Sequence, residues 1–483
     1  MNILHTCHKD GTCLDYSSHS SGQSAVLMLY TAPVFPHYQK PRSICSFLCP
    51  ATVLTIYCIA HAAALLGSSL IQLLYDTVDL IYIGQFLGTT AAAAIGTCAL
   101  FIACLIGFFS GLSIGASILT ARYYGQHNTT AIIRLVYSAI GISLISGLFL
   151  SILGYITAPF FILHLNTPPS IAPLAISYLQ VYLCSAVWIL LYNICSGIIR
   201  ATGDSRSPLY FQFIGGVINV VADALCICVW ELGISGTAWA TFLSQGAAGC
   251  LCLYYLWKQI LHDNTTGSSP RWDSHAMYAI FRLGIPAGLQ SVVMTASNIF
   301  IQYHINSLGT SAMAAFTAYF KLELLLYFPI IALGQAVLIF TGQNLGANLP
   351  SRARKGMRTS LFLGIMVTEF IAAFVLYLGT YAFYPFTTDI YVISDCLRIV
   401  VITLPFYGLY VILEVYGAVL RSIGCVLTPM TVILINFCML RMACLLLFFP
   451  SRPEITTLAA IYPFTWFTAA LSMYLCYRWK YKA

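Results

Sequence analysis

A passage of this chain is written twice, 221 residues apart. Gly88-Thr89 and the run Ala91 to Ala94 recur as Gly309-Thr310 and Ala312-Met313-Ala314-Ala315. Thr120 and Gly125 return as Thr341 and Gly346, and Arg200, Gly203 and Pro208 as Arg421, Gly424 and Pro429. Arg134 meets Lys355, which keeps the charge. A single offset with no net insertion means that the two halves share one topology. In a very apolar chain, such a duplication points to a transporter of two similar lobes with a substrate path between them.

The apolar character is decisive. Of the residues, 59% are hydrophobic and 8% charged, against roughly 25% charged in a soluble domain. Runs of 20 or more apolar residues suit a hydrocarbon core about 30 Å thick. Twelve spans are predicted: 62–85, 92–121, 134–158, 172–199, 207–230, 236–257, 283–306, 312–340, 357–381, 392–420, 428–449 and 456–477. Lipid offers the backbone no partners, and the runs are too long for barrel strands, so the spans must be helices. The expected fold class is an all-α polytopic membrane protein: twelve transmembrane helices in two parallel six-helix repeats. Six is even, so both halves enter from the same side and the axis relating them lies along the membrane normal.

The net charge of +7 is explained by its placement and gives no sign of a nucleic-acid partner. With the N-terminus inside, 18 of the 22 basic residues fall on one side, in alternate loops and the two termini, and only Arg452 falls in an opposite loop. This is the positive-inside pattern. It places both termini in the cytoplasm, and the location is a cytoplasmic (inner) membrane. Most of the 18 cysteines lie in apolar runs, where Cys acts as a small hydrophobe. Cys7, His8 and Cys13 match no strong zinc pattern. Four regions are expected: a non-repeating N-terminal extension, 1–60, polar and poorly defined over 1–43; a first lobe, 61–258; a cytoplasmic linker, 259–281; and a second lobe, 282–483.

An ionisable group at membrane depth costs roughly 2.5–3.5 kcal/mol and is functional unless paired. Asp79 in helix 1 has Tyr75 one turn earlier on the same face, and Asp223 in helix 5 has Asn219 likewise. Thr241 lies in neighbouring helix 6. Together they offer oxygens of the kind that hard cations prefer, while a proton needs only the carboxylates. Alternatively, the two acids merely hydrogen-bond helices together. Asp76 lies about 60° round the helix from Asp79; it is either a second titrating group or a neighbour of polar groups nearer the surface. In the second half, Lys321 and Arg441 are candidates to neutralise Glu323 or Glu414. Glu369 and Arg398 read as structural, and Arg200 and Arg421, at cytoplasmic helix ends, as anchors and lobe contacts.

The repeated landmarks resemble the multidrug and toxic compound extrusion (MATE) family. "LLYDTVDLIYIGQFLGTTAAAAIG" resembles its helix 1 and the start of helix 2, "RATGDSRSPL" its helix 4–5 loop, "FRLGIPAGLQS" its helix 7 entry, and "FTGQNLGANLPSRARKG" the end of its helix 8. The Lys321-Leu322-Glu323 element looks closer to the bacterial branch near the DNA-damage-inducible type. The resemblance covers about 60–480. It implies export of drugs or metabolites, lipophilic or cationic small molecules, in exchange for protons or sodium, by a monomer in the bilayer with no cofactor. It also implies a first-lobe cation site at Tyr75, Asp79, Asn193, Asn219, Asp223 and Thr241. Leu65 stands where the second half has Pro286, so a helix 1 proline bend has no equivalent at the expected place. Two other readings fit the sequence less well. A lipid-linked oligosaccharide flippase of the same superfamily would have two further helices. A membrane-embedded enzyme lacks its motifs, since no His-Glu-x-x-His, Gly-x-Ser-x-Gly or Walker sequence is present.

Overall fold

The computed structural model describes residues 4–7, 13–16, 50–164, 167–261 and 272–482. The first 43 residues form a unit of their own. In it, β1 (Leu4–Cys7) and β2 (Cys13–Tyr16) make an antiparallel hairpin with Cys7 opposite Cys13, where the sequence suggested no order. His8 and residues 262–271 of the 259–281 linker lie outside the described residues, and so does the metal reading of the Cys7–Cys13 motif.

Beyond the hairpin, the described residues are almost all helical. The first lobe comprises α1 (Pro50–Tyr82), α2 (Gly88–Gly125), α3 (Thr129–His164), α4 in two pieces (Ala172–Cys184 and Ala186–Ala201), α5 (Arg206–Asp223) and α6 (Ile234–Leu256). The second comprises α7 (Ser274–Ser307), α8 (Thr310–Gly346), α9 (Pro350–Leu378), α10 in two pieces (Ile390–Thr403 and Tyr407–Ser422), α11 (Leu427–Ile433, continuing through a wide turn into Arg441–Phe448) and α12 (Ile455–Lys482). By length and apolarity alone, nine stretches of the described residues can cross a membrane, and the bent α4 makes a tenth. One of the nine, His61–Gly125, holds both α1 and α2, which meet at Gly88. With α6, whose Gln245 and serines dilute its apolarity, the spans number twelve.

The duplication is visible in the backbone. Left-handed residues stand at Gly88 and Gly309, at His127 and Asn348, and at Gly203 and Gly424; within each pair the spacing is the 221 of the repeat. Both halves break their fourth helix at equivalent places. In α10, Pro405 removes an amide and forces a short 3₁₀ turn over Leu404–Phe406. The amide of Gly408, just beyond, donates to the Glu369 carboxylate at 2.8 Å, so Glu369 serves the break. In α4 the mate of Pro405 is Cys184, and the helix still bends, by 43°. There the Ser185 hydroxyl donates to the Tyr182 carbonyl at 2.5 Å, competing with the main-chain ladder.

Each lobe has its own apolar core. One cluster gathers around Leu135, Leu179, Leu190 and Ile198, the other around Phe316, Tyr319, Tyr407 and Trp466. The outer faces carry Phe149, Ile156, Phe370 and Phe374, all exposed, as a surface bathed in lipid should. Exposed Trp257, Trp272 and Trp479 gather at the helix ends where α6 and α12 finish and α7 begins, the depth at which amphipathic rings favour the membrane–water boundary.

Candidate cation and substrate cavity

A cavity of about 490 Å³ opens inside the first lobe, bordered by α1, α2, α4, α5 and α6. Its size lies within the usual range for ligand pockets, about 300–1,000 Å³. Tyr75, Asp79, Asn193 and Thr241, four of the six residues singled out from sequence, line it together. The other two, Asn219 and Asp223, are fully buried in α5 behind Asp79. The Asp79 and Asp223 carboxyls face one another at interaction range, with the Asn219 amide beside Asp79. The one-turn spacings in α1 and α5 therefore place all six groups around one locus.

This locus is short of hydrogen bonds. One Asp79 oxygen, both Asp223 oxygens and both polar atoms of the Asn219 amide are buried without a well-formed partner. Buried polar atoms are almost always satisfied, and a cluster of orphans calls for a reason. Each orphan but the Asn219 nitrogen is an oxygen, a donor set that suits a hard cation, and two of the groups are carboxylates that can share a proton. The residues present thus fit either a proton or a hard cation such as sodium. The backbone is unusual here as well. A π-helical stretch, Ala224–Val229, begins immediately after Asp223, another, Ile83–Leu87, follows Asp79 by one turn, and a third, Leu434–Leu440, runs up to Arg441. Such widened turns are frequent at functional positions.

Much of the cavity wall is uncharged and carries no charge signal in the sequence. Tyr75 is held by two amides: Gln212 Nε2 donates to its hydroxyl at 2.9 Å and Gln245 Nε2 at 3.4 Å. Gln72 and the rings of Tyr178, Tyr182 and Tyr192 add to the lining, and Asp79 is the only charged residue among its described members. A glutamine in an apolar span is itself a signal, and three of them were available in the sequence. Asn193 spends its amide nitrogen on the Ile189 carbonyl, at 2.8 Å, which leaves its side-chain oxygen as its contribution. Thr241 donates back to the Thr237 carbonyl at 3.1 Å, so its hydroxyl also offers lone pairs. The side chain of Asp76 lies outside the described residues.

In the second half, Glu414 takes a partner other than Lys321 or Arg441. Glu414 is joined by Arg421, Nη2 to Oε1 at 2.8 Å, both buried. Arg421, expected at a helix end as an anchor and lobe contact, lies two turns along the same helix and reaches back. Lys321 is exposed on α8 and forms no ion pair among the described residues. Arg441 is buried, donates from Nη2 to the Thr465 hydroxyl at 3.0 Å, and lies over the Phe437 and Tyr462 rings at 4.4 and 5.0 Å. It is near enough to Glu323 to interact electrostatically, and Glu323 accepts from the Tyr407 hydroxyl. Arg398 makes only an exposed contact with Asp395, 3.7 Å. The 4–5 loop is a double cap: Gly203 ends α4, and Asp204 accepts the amides of Arg206 and Ser207, each at 3.0 Å, and the Tyr255 hydroxyl at 2.7 Å.

The MatE family model matches residues 64–225 and 286–447, once in each repeat. The probable multidrug resistance protein YpnP of Bacillus subtilis is 29% identical over 385 residues, 78% of this chain and 84% of that protein. The FAD transporter of Shewanella oneidensis is 29% identical over 384 residues, 76% and 81%. Among solved structures, a mutant of the Vibrio cholerae MATE transporter VcmN superposes with a TM-score of 0.82 at 21% identity, over 90% of this chain and 98% of that one; at that identity the likeness concerns the fold.

Proposed function

From the premise that the chain belongs to the MATE family, we propose that it is a secondary active exporter of small molecules, multidrug in range like its named relative, driven by exchange for protons or sodium. It is a multi-pass protein of the cytoplasmic membrane with both termini inside. The observation that carries this reading is the facing pair Asp79 and Asp223, with orphaned oxygens, against a cavity large enough for a drug. Two carboxylates in a dry site repel one another, and a proton or a sodium ion shared between them cancels that cost. Loading from outside and release inside then follow the gradient.

The cavity wall sets the expectation for cargo. Tyrosine rings supply apolar faces, amides orient polar groups, and the acidic Asp79 in the lining favours neutral or cationic amphiphiles over anions. Cation and cargo compete for Asp79, directly or through the packing of α1. Each drives the rocking of the lobes only by its differential affinity for the inward-open and outward-open states. The test is efflux of a fluorescent cationic dye from everted vesicles under an imposed pH gradient or an imposed sodium gradient. Acceleration by either supports antiport and identifies the ion; no acceleration by both rejects it.

A further inference from the structure

Arg122 ends α2 in one lobe, and Gln343 stands 221 residues later at the same place in α8 of the other. Arg122 donates from Nε and Nη2 to the Ser422 carbonyl, at 2.9 and 2.6 Å. Gln343 donates from Nε2 to the Ala201 carbonyl at 2.9 Å. Ala201 and Ser422 are also 221 apart, and they are the last residues of α4 and α10. One contact is thus made twice, reciprocally, with each lobe donating to the other.

The backbone explains why the lobes meet here. Ala121 and Gly342 are repeat mates, and a Cβ on Gly342 would lie 2.9 Å from that of Ala121, so the pseudo-two-fold axis passes between them. One turn further, a Cβ on Gly125 would sit 2.0 Å from the Gln343 carbonyl oxygen, and one on Gly346 would sit 2.2 Å from that of Arg122. Only hydrogens fit between these helices. The acceptors are equally specific. Carbonyls at helix C-termini lack intrahelical donors and carry the negative end of the helix dipole. The two halves differ in strength: Arg122 makes two charge-assisted bonds, roughly twice as strong as neutral ones, and Gln343 a single neutral one.

We propose that Arg122 and Gln343 are positioning residues of the transport cycle, a two-part latch that holds the lobes together on the cytoplasmic side and must open for the inward-open state. The side rests on the proposed topology, which puts the ends of the even-numbered helices in the cytoplasm. Arg122, by its charge, carries the larger part of the latch. Gln343 tunes it, which leaves the seal strong enough to close yet weak enough to cycle.

Ile118 on α2 packs into the core of the opposite lobe and is fully buried, so a cysteine there reports on the seam. In a transport-competent background without other cysteines, Ile118→Cys is labelled with a membrane-impermeant maleimide in inside-out and right-side-out vesicles. Arg122→Ala should raise the labelling rate from the cytoplasmic face about tenfold and Gln343→Ala about threefold, as expected for a charge-assisted and a neutral hydrogen bond. Arg122→Lys should restore most of the protection. Gln343→Arg should label more slowly than wild type and slow transport, a gain of closure that damage to the fold cannot mimic. Unchanged labelling from both faces in the two alanine variants overturns the latch, and so does a Gln343→Arg variant that labels faster. Faster labelling from the external face alone supports the latch and overturns the topology.

Discussion

The buried pair Glu414–Arg421 gives a quantitative test of how the second lobe is held. At 2.8 Å, two unit charges attract by about 6 kcal/mol at an effective dielectric of 20. Desolvation of both ions consumes most of that gain, so the pair is close to neutral for stability, whereas stripping one partner leaves an uncompensated charge at a cost of about 3–5 kcal/mol. The carboxylate has little room to escape. A Cβ on Gly334 would lie 2.5 Å from Glu414 Cγ, and Arg421 Nε is itself tied to the Gly417 carbonyl at 3.2 Å. Arg421→Met should therefore lower the melting temperature in detergent by about 6–20 °C, at roughly 2–4 °C per kcal/mol for a unit of this size. Glu414→Leu should cost a similar amount, and the double variant should lie within about 1–2 kcal/mol of wild type. Thermal unfolding of the four purified proteins, read by fluorescence-detected gel filtration, supplies the cycle. If the losses of the single variants add in the double, the two charges are not coupled and the reasoning fails.

Three further outcomes follow from the first lobe and the seam. Tyr75→Phe removes the acceptor of the Gln212 amide at 2.9 Å; it should lower stability by about 1–3 kcal/mol and weaken dye binding, and unchanged values in both would remove Tyr75 from the cavity's working wall. Gly125→Val places a side chain where a Cβ already lies 2.0 Å from a carbonyl oxygen, so it should reach the membrane at normal levels but lose transport; a wild-type rate would contradict the close crossing. Cysteines placed at Ser268 in the linker and at Ala483 should be labelled only from the cytoplasmic side; labelling of either in intact cells would invert the topology.

Much of the fold was legible because the repeat is rigid. The same offset that aligned Gly88 with Gly309 also aligns His127 with Asn348, a left-handed turn that residue identity alone hides. The facing acids were legible for a different reason. A charge in an apolar run is costly and conspicuous, and a one-turn spacing fixes its direction. Arg421 was misplaced because its position near a helix end suggested the interface, while its length lets it reach back two turns, about 10 Å along the axis, to Glu414. Gln212 and Gln245 escaped because an amide carries no charge, although burial costs it a partner all the same. The π-helical stretches beside Asp79, Asp223 and Arg441 have no marker in the sequence pattern, since a widened turn leaves the apolar composition of the span unchanged.

The central claim is that the Asp79–Asp223 pair couples the ion gradient to export. The direct measurement is gradient-driven dye efflux in everted vesicles by wild type, Asp79→Asn and Asp223→Asn at equal membrane abundance. Asparagine keeps the shape of the side chain and its capacity to hydrogen-bond but abolishes the change of charge. Both variants should insert and bind dye, and both should lose acceleration by the coupling gradient. If both pump at the wild-type rate under either gradient, coupling does not pass through this pair, and the account of the first-lobe site is wrong.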